Sequence, residues 1–439
     1  MMRLDLTRPE FAINGGKPVR TLPWTDNFTT GEEEKKAVIR VLDSGYLSKF
    51  EGSYTPDPPF SFFGGPEVQA LEREWCDFYE SSHAISMNSA TSGLFAAIGA
   101  LGLGFGDEVI VSPYTMTACA LAPLIYGAIP VFADVEEATG CLDPKSIKKC
   151  ISERTRAILV VHQFGIPADM VQITKIAEEH SLKIIEDCAQ AHGAKYHGDF
   201  VGKSGDIGVF SLNVNKSIQS GEGAVCVTEN EDLAYRLALI RNHGEAVVGP
   251  AGIDNITNIG GFNYRLTEIQ AAIAREQLKK LPDLNRHRLT LVETLSDQLR
   301  DHPFLLPPEG RDGCLATYYV YPLRFSPNDV DVKRDKFVTA VNREGAQFYQ
   351  GYVQPLYLQP LYQKQQLWKH GYPFSAPENQ GHSGKYAKGT CPVAEDLHYE
   401  KMIINEHVRW PHTTQDMKEL VDIIEKVTGW DSGCSTQTN

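Results

Sequence analysis

The sequence AILVVHQFGIPADMVQITKIAEEHSLKIIED, residues 157–187, contains two apolar runs separated by a segment with apolar residues at helical spacing. Short apolar runs rich in Val and Ile are typical of strands that are buried on both faces. Two such strands joined by a helix form a parallel βαβ unit. This stretch therefore predicts a mostly parallel sheet that is covered by helices on both faces.

The same alternation of strand and helix signals extends from about residue 67 to residue 230. A long helical segment then leads towards a region of mixed pattern that begins near residue 300. Because a chain of 439 residues is too long for one small core, we expect a large domain and a smaller one. We predict an N-terminal arm over 1–30, a large domain over 31–280 and a small C-terminal domain over 281–439.

The composition, with 42% hydrophobic and 22% charged residues, is ordinary for a globular enzyme. The net charge of −14 argues against nucleic acid or an anionic membrane as the main partner. The nine cysteines are scattered and form no C-x-x-C pair, which is typical of reduced thiols. The N terminus lacks the basic and apolar layout of a signal peptide, so we predict a cytoplasmic enzyme.

Four polar clusters lie where predicted strands end. They are NSATSG (88–93), SPYTM (112–116), EDCAQAHG (186–193) and SLNVNK (211–216). In open α/β sheets, ligands bind beyond the carboxyl ends of the strands. We therefore expect the four clusters to form one site.

Lys216 lies between an apolar run and the turn Gly221-Glu222-Gly223. Its surroundings are compatible with a phosphate-binding lysine, a solvated surface lysine or an amine that forms a covalent bond. The motif G-x-x-x-x-G-K-[ST] is not present at this lysine, which excludes a P-loop. Burial in an apolar site would lower the pKa of the amine and make it nucleophilic near neutral pH.

Asp187 follows an apolar run, so its carboxylate is expected at a strand end and needs a cation or several donors. A capping role is the alternative. Asp187 and Lys216 together match pyridoxal 5′-phosphate (PLP), which offers a ring nitrogen to a carboxylate and an aldehyde to an amine. Opposite charges about 4 Å apart gain roughly 4 kcal/mol at an effective dielectric constant of about 20, enough to keep the ring nitrogen protonated.

Thr91 and Ser92 occur at what reads as a helix N-terminus, where free backbone N–H groups and hydroxyls bind anions such as the phosphate of PLP. Simple N-capping is the alternative for these two residues.

Eight segments, in order along most of the chain, resemble the DegT/StrS family of PLP-dependent sugar aminotransferases. The segments are NSATSGL, GDEVIVSPYT, GAIPVFADV, VVHQFGIPADM, IIEDCAQAHGA, GVFSLNVNKSIQSGEGAV, IRNHG and GFNYRLTEIQAAI. The resemblance implies an α/β protein with the type I, or aspartate aminotransferase, fold of PLP-dependent transferases. Such a fold has a large domain with a mostly parallel sheet and a smaller α+β C-terminal domain.

The resemblance also implies roles for single residues around the cofactor ring. Lys216 would form the Schiff base, Asp187 would pair with the pyridine nitrogen, and Gln190 would lie over the ring face. Many relatives stack an aromatic residue on the ring, and either Met116 or Tyr114 would take that place here.

Thr91 and Ser92 would bind the cofactor phosphate, and Ser211 would add a hydroxyl. Asn263 would reach the phosphate of the neighbouring subunit's cofactor, which implies a homodimer with shared active sites. His162 is predicted to be structural.

Within the resemblance, the expected reaction moves an amino group from L-glutamate or L-glutamine to a keto-sugar in antibiotic or surface-polysaccharide biosynthesis. The acceptor is either a nucleotide-linked keto-sugar or a keto-cyclitol such as scyllo-inosose. Arg241, Arg265 and Lys203 are candidate contacts for a nucleotide diphosphate. The alternatives are a sugar dehydratase, which carries histidine at the lysine position, and a non-catalytic regulator, which would lack Lys216 or Asp187.

The segment SKFEGSYTPDPPFSFFGG, residues 48–65, reads as an insertion rich in aromatic residues and proline. We expect it either at the entrance of the site, where it would shape the acceptor pocket, or at the dimer interface. Asn213 and Asn215, next to Lys216, either tune the choice of substrate or fill the turn.

Overall fold

The computed structural model describes residues 1–53 and 60–432. Its strands are β1 (His83–Met87), β2 (Glu108–Val111), β3 (Ile129–Phe132), β4 (Thr155–Val161), β5 (Lys183–Asp187), β6 (Lys195–Tyr196), β7 (Asp199–Phe200), β8 (Ile207–Ser211), β9 (Ala224–Thr228), β10 (Leu305–Leu306), β11 (Cys314–Leu315), β12 (Tyr321–Phe325), β13 (Tyr349–Gln350) and β14 (Met402–Asn405). Its α-helices are α1 (Glu32–Asp43), α2 (Pro66–Tyr79), α3 (Ala90–Ala100), α4 (Ala118–Ile125), α5 (Pro144–Cys150), α6 (Met170–His180), α7 (Glu231–Arg241), α8 (Glu268–Leu299), α9 (Arg334–Arg343), α10 (Pro360–Gln363), α11 (Pro392–Asp396) and α12 (Thr414–Thr428). No helix in these described ranges is long and apolar enough to cross a membrane.

A seven-stranded sheet in the order β1-β9-β8-β5-β4-β2-β3 forms the centre of the large core. Strands β8, β5, β4, β2 and β3 run parallel, and β9 is antiparallel to both of its neighbours. The βαβ unit expected from residues 157–187 is present as β4, α6 and β5, with Val161 paired to Asp187. The predicted α/β fold with a mostly parallel sheet is confirmed.

Successive residues of each central strand pack on opposite faces of the sheet. On β4, for example, Leu159 belongs to a core with α3, α4 and α7, whereas Ile158 and Val160 belong to a core with α2, α6 and the first half of α8. Both faces are thus covered, which is why these strands read as continuous apolar runs. Full burial of each such side chain contributes roughly 1.5–3 kcal/mol.

The smaller core surrounds an antiparallel sheet in the order β10-β12-β14-β13. Helices α9 and α12 and the second half of α8 pack on it. The 32-residue helix α8 therefore contributes to both cores, with Leu278 in the large one and Leu295 in the small one. The predicted boundary between residues 280 and 281 falls inside this continuous helix, and the division into three regions stays a prediction.

Arg241, the last residue of α7, is completely buried. Its guanidinium donates to the Glu72 carboxylate (2.6 Å) and to the carbonyls of Ser86 (3.1 Å) and Phe63 (3.4 Å), and it lies 4.8 Å from the centroid of the Phe50 ring. The suggestion that Arg241 contacts a nucleotide diphosphate is therefore wrong, because its charge is used inside the protein. Sequence alone did not reveal this burial.

The same region anchors the insertion. The side-chain amide of Asn242 donates to the carbonyls of Glu51 (2.7 Å) and Phe62 (2.9 Å), which closes the base of the loop, and Phe50 forms a bridge with Ser61. Residues 54–59, the centre of the insertion, lie outside the described residues. The described ends of the insertion are thus tied to the end of α7.

We expect Arg241→Met to lower the free energy of unfolding by about 3 kcal/mol. The substitution removes one partner of a buried ion pair and leaves two backbone carbonyls without their hydrogen-bond donor. Urea unfolding followed by circular dichroism measures the change. Arg286→Met is the matched control, since Arg286 is exposed and pairs with Asp283 on the surface of α8, where a loss below about 1 kcal/mol is expected. Equal losses in the two variants would contradict the assigned role of Arg241.

Candidate active site

The carboxyl ends of β4, β5 and β8 meet at one edge of the central sheet. Asp187 ends β5, His162 follows β4 directly, and Ser211 ends β8. Asp187 is paired in register with Val161 on one side and with Val209 on the other. Parallel pairing therefore brings together the polar clusters that follow these strands.

Asp187 is buried, and its carboxylate accepts two hydrogen bonds. The backbone N–H of Ala189 donates to Oδ1 (2.9 Å) and the thiol of Cys119 donates to Oδ2 (3.0 Å). Burial, together with the charge of Asp187, raises the pKa of the Cys119 thiol, so the thiol stays protonated and remains a donor. No lysine, arginine or histidine of the described residues forms an ion pair with Asp187. A buried carboxylate without a protein cation fits a cationic ligand.

Lys216 is half-buried on the turn between β8 and β9. Its Nζ lies 4.4 Å from the centroid of the Tyr319 ring. Burial lowers the pKa of Lys216, although the negative charge of Asp187 opposes this shift. A lysine whose pKa is lowered keeps a larger share of neutral, nucleophilic amine at neutral pH.

Gln190, three residues after Asp187, is buried, and both the oxygen and the nitrogen of its side-chain amide form hydrogen bonds. Its Oε1 accepts the backbone N–H of Phe164 (2.8 Å), and its Nε2 donates to the hydroxyl of Tyr352 (3.3 Å). Tyr352 also packs edge-on against Phe164 and Tyr114, at centroid distances of 5.1 and 6.0 Å. The amide of Gln190 is therefore held in one orientation by Phe164 and Tyr352, which pack together against the large core.

The two residues considered for the stacking position lie in different environments. Tyr114 is fully buried, and its ring packs edge-on against Phe164, Tyr352 and His398. Met116 is 61% exposed at the start of the segment that leads into α4. Of the two side chains, only that of Met116 is accessible to a ligand.

Helix α3 begins immediately after Ser89, which is its N-cap and accepts the N–H of Ser92 (3.1 Å). The Ser92 hydroxyl donates to Oδ1 of Asn88 (2.7 Å), and the Thr91 side chain is exposed. The capping role that was the alternative for Thr91 and Ser92 thus belongs to Ser89. In the first turn of α3 the Thr91 side chain is exposed whereas Ser92 and Gly93 are buried, and free N–H groups at a helix N-terminus favour an anion.

Ser211 and Asn263, the other two predicted phosphate contacts, differ in their exposure to solvent. Ser211 is buried, and its hydroxyl accepts the N–H of Asn213 (3.3 Å). Asn263 is exposed, its Oδ1 accepts from Nε of Arg265 (2.8 Å), and its carbonyl accepts from the Asn88 amide (3.3 Å). The segment that carries Asn263 therefore runs beside the residues that precede α3.

The remaining polar residues proposed from the sequence are the two asparagines next to Lys216 and two basic residues. Asn215 is exposed, and its N–H donates to Oδ1 of Asn213 (3.2 Å), whose amide donates to Glu222 (3.0 Å), so both asparagines help to form the turn. Arg265 and Lys203 are half-buried.

His162 is fully buried, and its ring is hydrogen-bonded to Glu186, the residue that precedes Asp187 on β5. Its Nε2 is 2.9 Å from Oε2 of Glu186, and its Nδ1 accepts the N–H of Ala168 (3.1 Å). Burial alone would raise the pKa of Glu186, but hydrogen bonds from His162 and from the N–H groups of Gly202 and Gly205 outweigh it and lower the pKa. Both ring nitrogens of His162 are used in structural contacts.

Three contributors to the site were not identified from the sequence. Cys119 lies on a helix of small apolar residues, Tyr319 lies beside β12, and Tyr352 lies in an irregular segment that packs against the large core. Each of them comes from a distant part of the chain and has no local motif. The run TYYVYPLRF, residues 317–325, has a strand-like pattern, which indicates burial of Tyr319 and not a role in the site.

The chain belongs to the DegT/DnrJ/EryC1/StrS aminotransferase family, which matches residues 60–425. It is 36% identical over 320 residues to the L-glutamine:2-deoxy-scyllo-inosose aminotransferase of Streptomyces lividus, covering 71% of this chain and 73% of that one. It is 32% identical over 344 residues to the spore coat polysaccharide biosynthesis protein SpsC of Bacillus subtilis, covering 76% and 84%. The crystal structure of DesV from S. venezuelae in complex with ketimine intermediate superposes with a TM-score of 0.73 at 30% identity, covering 91% and 95%.

These similarities confirm the resemblance, the type I fold and the assignment as a PLP-dependent aminotransferase of a family that acts on sugars and cyclitols. The residues present also fit the cofactor. Asp187 is a buried carboxylate, Lys216 is an amine with a lowered pKa, and the N-terminus of α3 offers the exposed Thr91 side chain and free N–H groups of the kind that suit a phosphate.

His192, in the same cluster as Asp187, is fully buried between the rings of Trp75 and Phe210. Burial, followed by the positive charges of Lys216 and Arg288, lowers its pKa from 6.5 to about 3. Between these two pH values the unfolded chain binds a proton that the folded chain does not bind. The protein is therefore expected to lose stability as the pH falls below 6.5.

We expect His192→Asn to reduce the loss of unfolding free energy between pH 7 and pH 5 by about 2 kcal/mol, because asparagine does not titrate. Urea unfolding at the two pH values measures this difference. His180→Asn, which changes an exposed histidine at the end of α6, is the control. If both variants lose the same stability as the unaltered protein, His192 does not contribute to the acid sensitivity.

Proposed function

We propose that this protein transfers the amino group of L-glutamine or L-glutamate to the ketone of a cyclitol or sugar. The observation that carries this proposal is the placement of Asp187 and Lys216. A buried carboxylate without a protein cation and a desolvated lysine amine follow neighbouring strands of one sheet. PLP, when bound, supplies an aldehyde that exchanges between amines and a ring that takes up electron density from the donor carbon.

Each residue of the site has a defined task in this reaction. Asp187 holds the proton on the ring nitrogen, and the donors from Ala189 and Cys119 keep its carboxylate oriented. Lys216 binds the cofactor covalently and, when released, carries a proton between the donor carbon and the cofactor. Gln190, fixed by Phe164 and Tyr352, packs on the ring face.

The phosphate is assigned to Thr91 and Ser92 in the first turn of α3, with Ser211 nearby and Asn263 contributed by a second subunit. The N-terminal end of a helix favours a phosphate through its free N–H groups and its dipole. Met116, as the accessible side chain of the pair with Tyr114, is assigned to the outer face of the cofactor ring. A thioether packs well against an aromatic ring.

The acceptor side favours a keto-cyclitol or a free keto-sugar over a nucleotide-linked sugar. A diphosphate requires cationic side chains, and of the three candidates Arg241 is buried in structural contacts, which leaves the half-buried Arg265 and Lys203. The rings of Tyr319 and Tyr352 lie beside Lys216 and Gln190, and aromatic surfaces of this kind suit a ring bearing several hydroxyls. The similarity to L-glutamine:2-deoxy-scyllo-inosose aminotransferases supports this choice.

We also propose that the protein is a homodimer. Exposed apolar side chains are grouped on α1 and on the segment that follows it, and such patches mark protein interfaces. They are Ile39, Leu42, Tyr46, Leu47, Phe60 and Phe63. A second copy of the chain would cover this surface and would bring Asn263 to the neighbouring site.

The donor half of the reaction is tested by the absorbance of the purified protein before and after addition of L-glutamine or L-glutamate. A covalently bound cofactor is expected to absorb in the near-ultraviolet to violet and to shift to shorter wavelength with the donor. Lys216→Ala is expected to abolish the bound band, because no other amine replaces Lys216.

Lys148→Ala, which changes an exposed lysine on α5, is the matched control and should keep both the band and its shift. Absence of any band after addition of PLP to the unaltered protein would refute the roles of Lys216 and Asp187. A band that responds to neither donor would refute the choice of donor alone.

Shared active sites predict complementation between two inactive variants. Lys216→Ala and Asn263→Asp each impair every site of their own homodimer, the second by placing a negative charge near the phosphate. In a hybrid dimer one site would combine an intact Lys216 with an intact Asn263 of the other subunit. Coexpression should therefore restore about a quarter of the activity if subunits pair at random.

No recovery in hybrids isolated by two affinity tags would show that Asn263 acts in its own subunit or not at all. Coexpression of Lys216→Ala with Asp187→Asn provides the control, because both of these residues belong to one subunit's site. That pair is expected to recover nothing.

A further inference from the structure

The Lys216 ammonium lacks a hydrogen bond or an ion pair to any described residue. Its Nζ lies 4.4 Å from the centroid of the Tyr319 ring, and Asp187, Cys119 and His192 are the titratable groups near enough to interact with it electrostatically. This distance is within the range of a cation–π interaction, and the attraction increases when the cation is desolvated. Tyr319 is thus the direct partner of the free amine.

The backbone of Tyr319 is hydrogen-bonded to two distant segments of the chain. Its N–H donates to the carbonyl of Phe164 (2.8 Å), and its carbonyl accepts from the buried guanidinium of Arg288 on α8 (3.0 Å). Phe164 in turn donates to Gln190 (2.8 Å). The ring is therefore placed over Lys216 by the same contacts that orient Gln190.

The phenol of Tyr319 remains neutral at physiological pH. Burial raises its pKa, and so does Glu406, while Arg409 and Arg288 act in the opposite direction. The group that faces the amine is therefore a neutral π surface and not a phenolate. A carboxylate or phenolate in this position would bind the ammonium strongly and keep it protonated.

We propose that Tyr319 is a positioning residue that receives the Lys216 ammonium whenever this lysine is not covalently bound. The inference rests on the proposed function, in which Lys216 is released during each half-reaction. A free ammonium beside Asp187 would otherwise be drawn to the carboxylate that the cofactor nitrogen requires. The π face holds the cation near the reacting carbon, yet weakly enough for the amine to lose its proton and react again.

The test uses the cofactor-free, full-length protein and follows the rate of PLP uptake by absorbance as a function of pH. Uptake requires the neutral amine, so the midpoint of the profile reports the proton affinity of Lys216. Tyr319→Leu removes the ring and should lower the midpoint by about 0.5–1 pH unit, because the charged form loses its stabilising partner. Tyr319→Phe keeps the ring and should retain the midpoint of the unaltered protein.

A second variant distinguishes loss of the π face from misfolding of Tyr319→Leu and from entry of water into the space that the ring leaves. Incorporation of 3,4,5-trifluorophenylalanine at position 319 keeps the shape of the ring and weakens its negative face. It should lower the midpoint in the same direction as Leu, with circular dichroism confirming the fold. The midpoint of Tyr319→Phe is the reference for this variant.

An unchanged midpoint with the fluorinated ring would overturn the proposal, and so would a shift in Tyr319→Phe equal to that in Tyr319→Leu. The second result would assign the effect to the hydroxyl. Failure of the unaltered protein to take up PLP would instead refute the proposed function. The two failures are thus distinguishable.

Discussion

The burial of the Asp187 carboxylate without a protein cation is the constraint around which the site is organised. A charge in this position is tolerated because the Ala189 N–H and the Cys119 thiol donate to it, and in the proposed function a protonated ring nitrogen would complement it. The parallel pairing of β5 with β4 and β8 holds the carboxylate at the edge of the sheet. Burial lowers the pKa of Lys216 against the opposing charge of this carboxylate, and both groups suit the chemistry of the cofactor.

The groups of the site are held by contacts between distant parts of the chain. Helix α8 belongs to both cores, and its buried Arg288 holds the backbone of Tyr319, whose ring faces Lys216. Tyr352, which packs with Phe164 against the large core, fixes the amide of Gln190. Catalytic groups placed in this way depend on the packing of distant segments, so changes remote from the cofactor are expected to alter the reaction.

The parts of the fold that could be predicted are those encoded by local pattern. Continuous apolar runs separated by helical periodicity indicate a parallel sheet, because such strands are buried on both faces. Polar clusters at strand ends then indicate Asp187 and Lys216, since the ends of parallel strands meet at one edge. The prediction that Arg241 contacts a diphosphate was wrong because it depended on local sequence alone. The neighbouring residues do not show that this side chain is enclosed by Glu72, Ser86 and Phe63.

The amino-acid sequence by itself determined the βαβ pattern, the presence of a lysine and an aspartate after neighbouring strands, and the family resemblance. Only the tertiary structure decided that Cys119 donates to Asp187, that Ser89 caps α3, and that the Tyr319 ring faces Lys216. The physical reason is the range of the interactions. Helix and strand formation depend on neighbours in sequence, whereas these contacts depend on the packing of segments brought together by the fold.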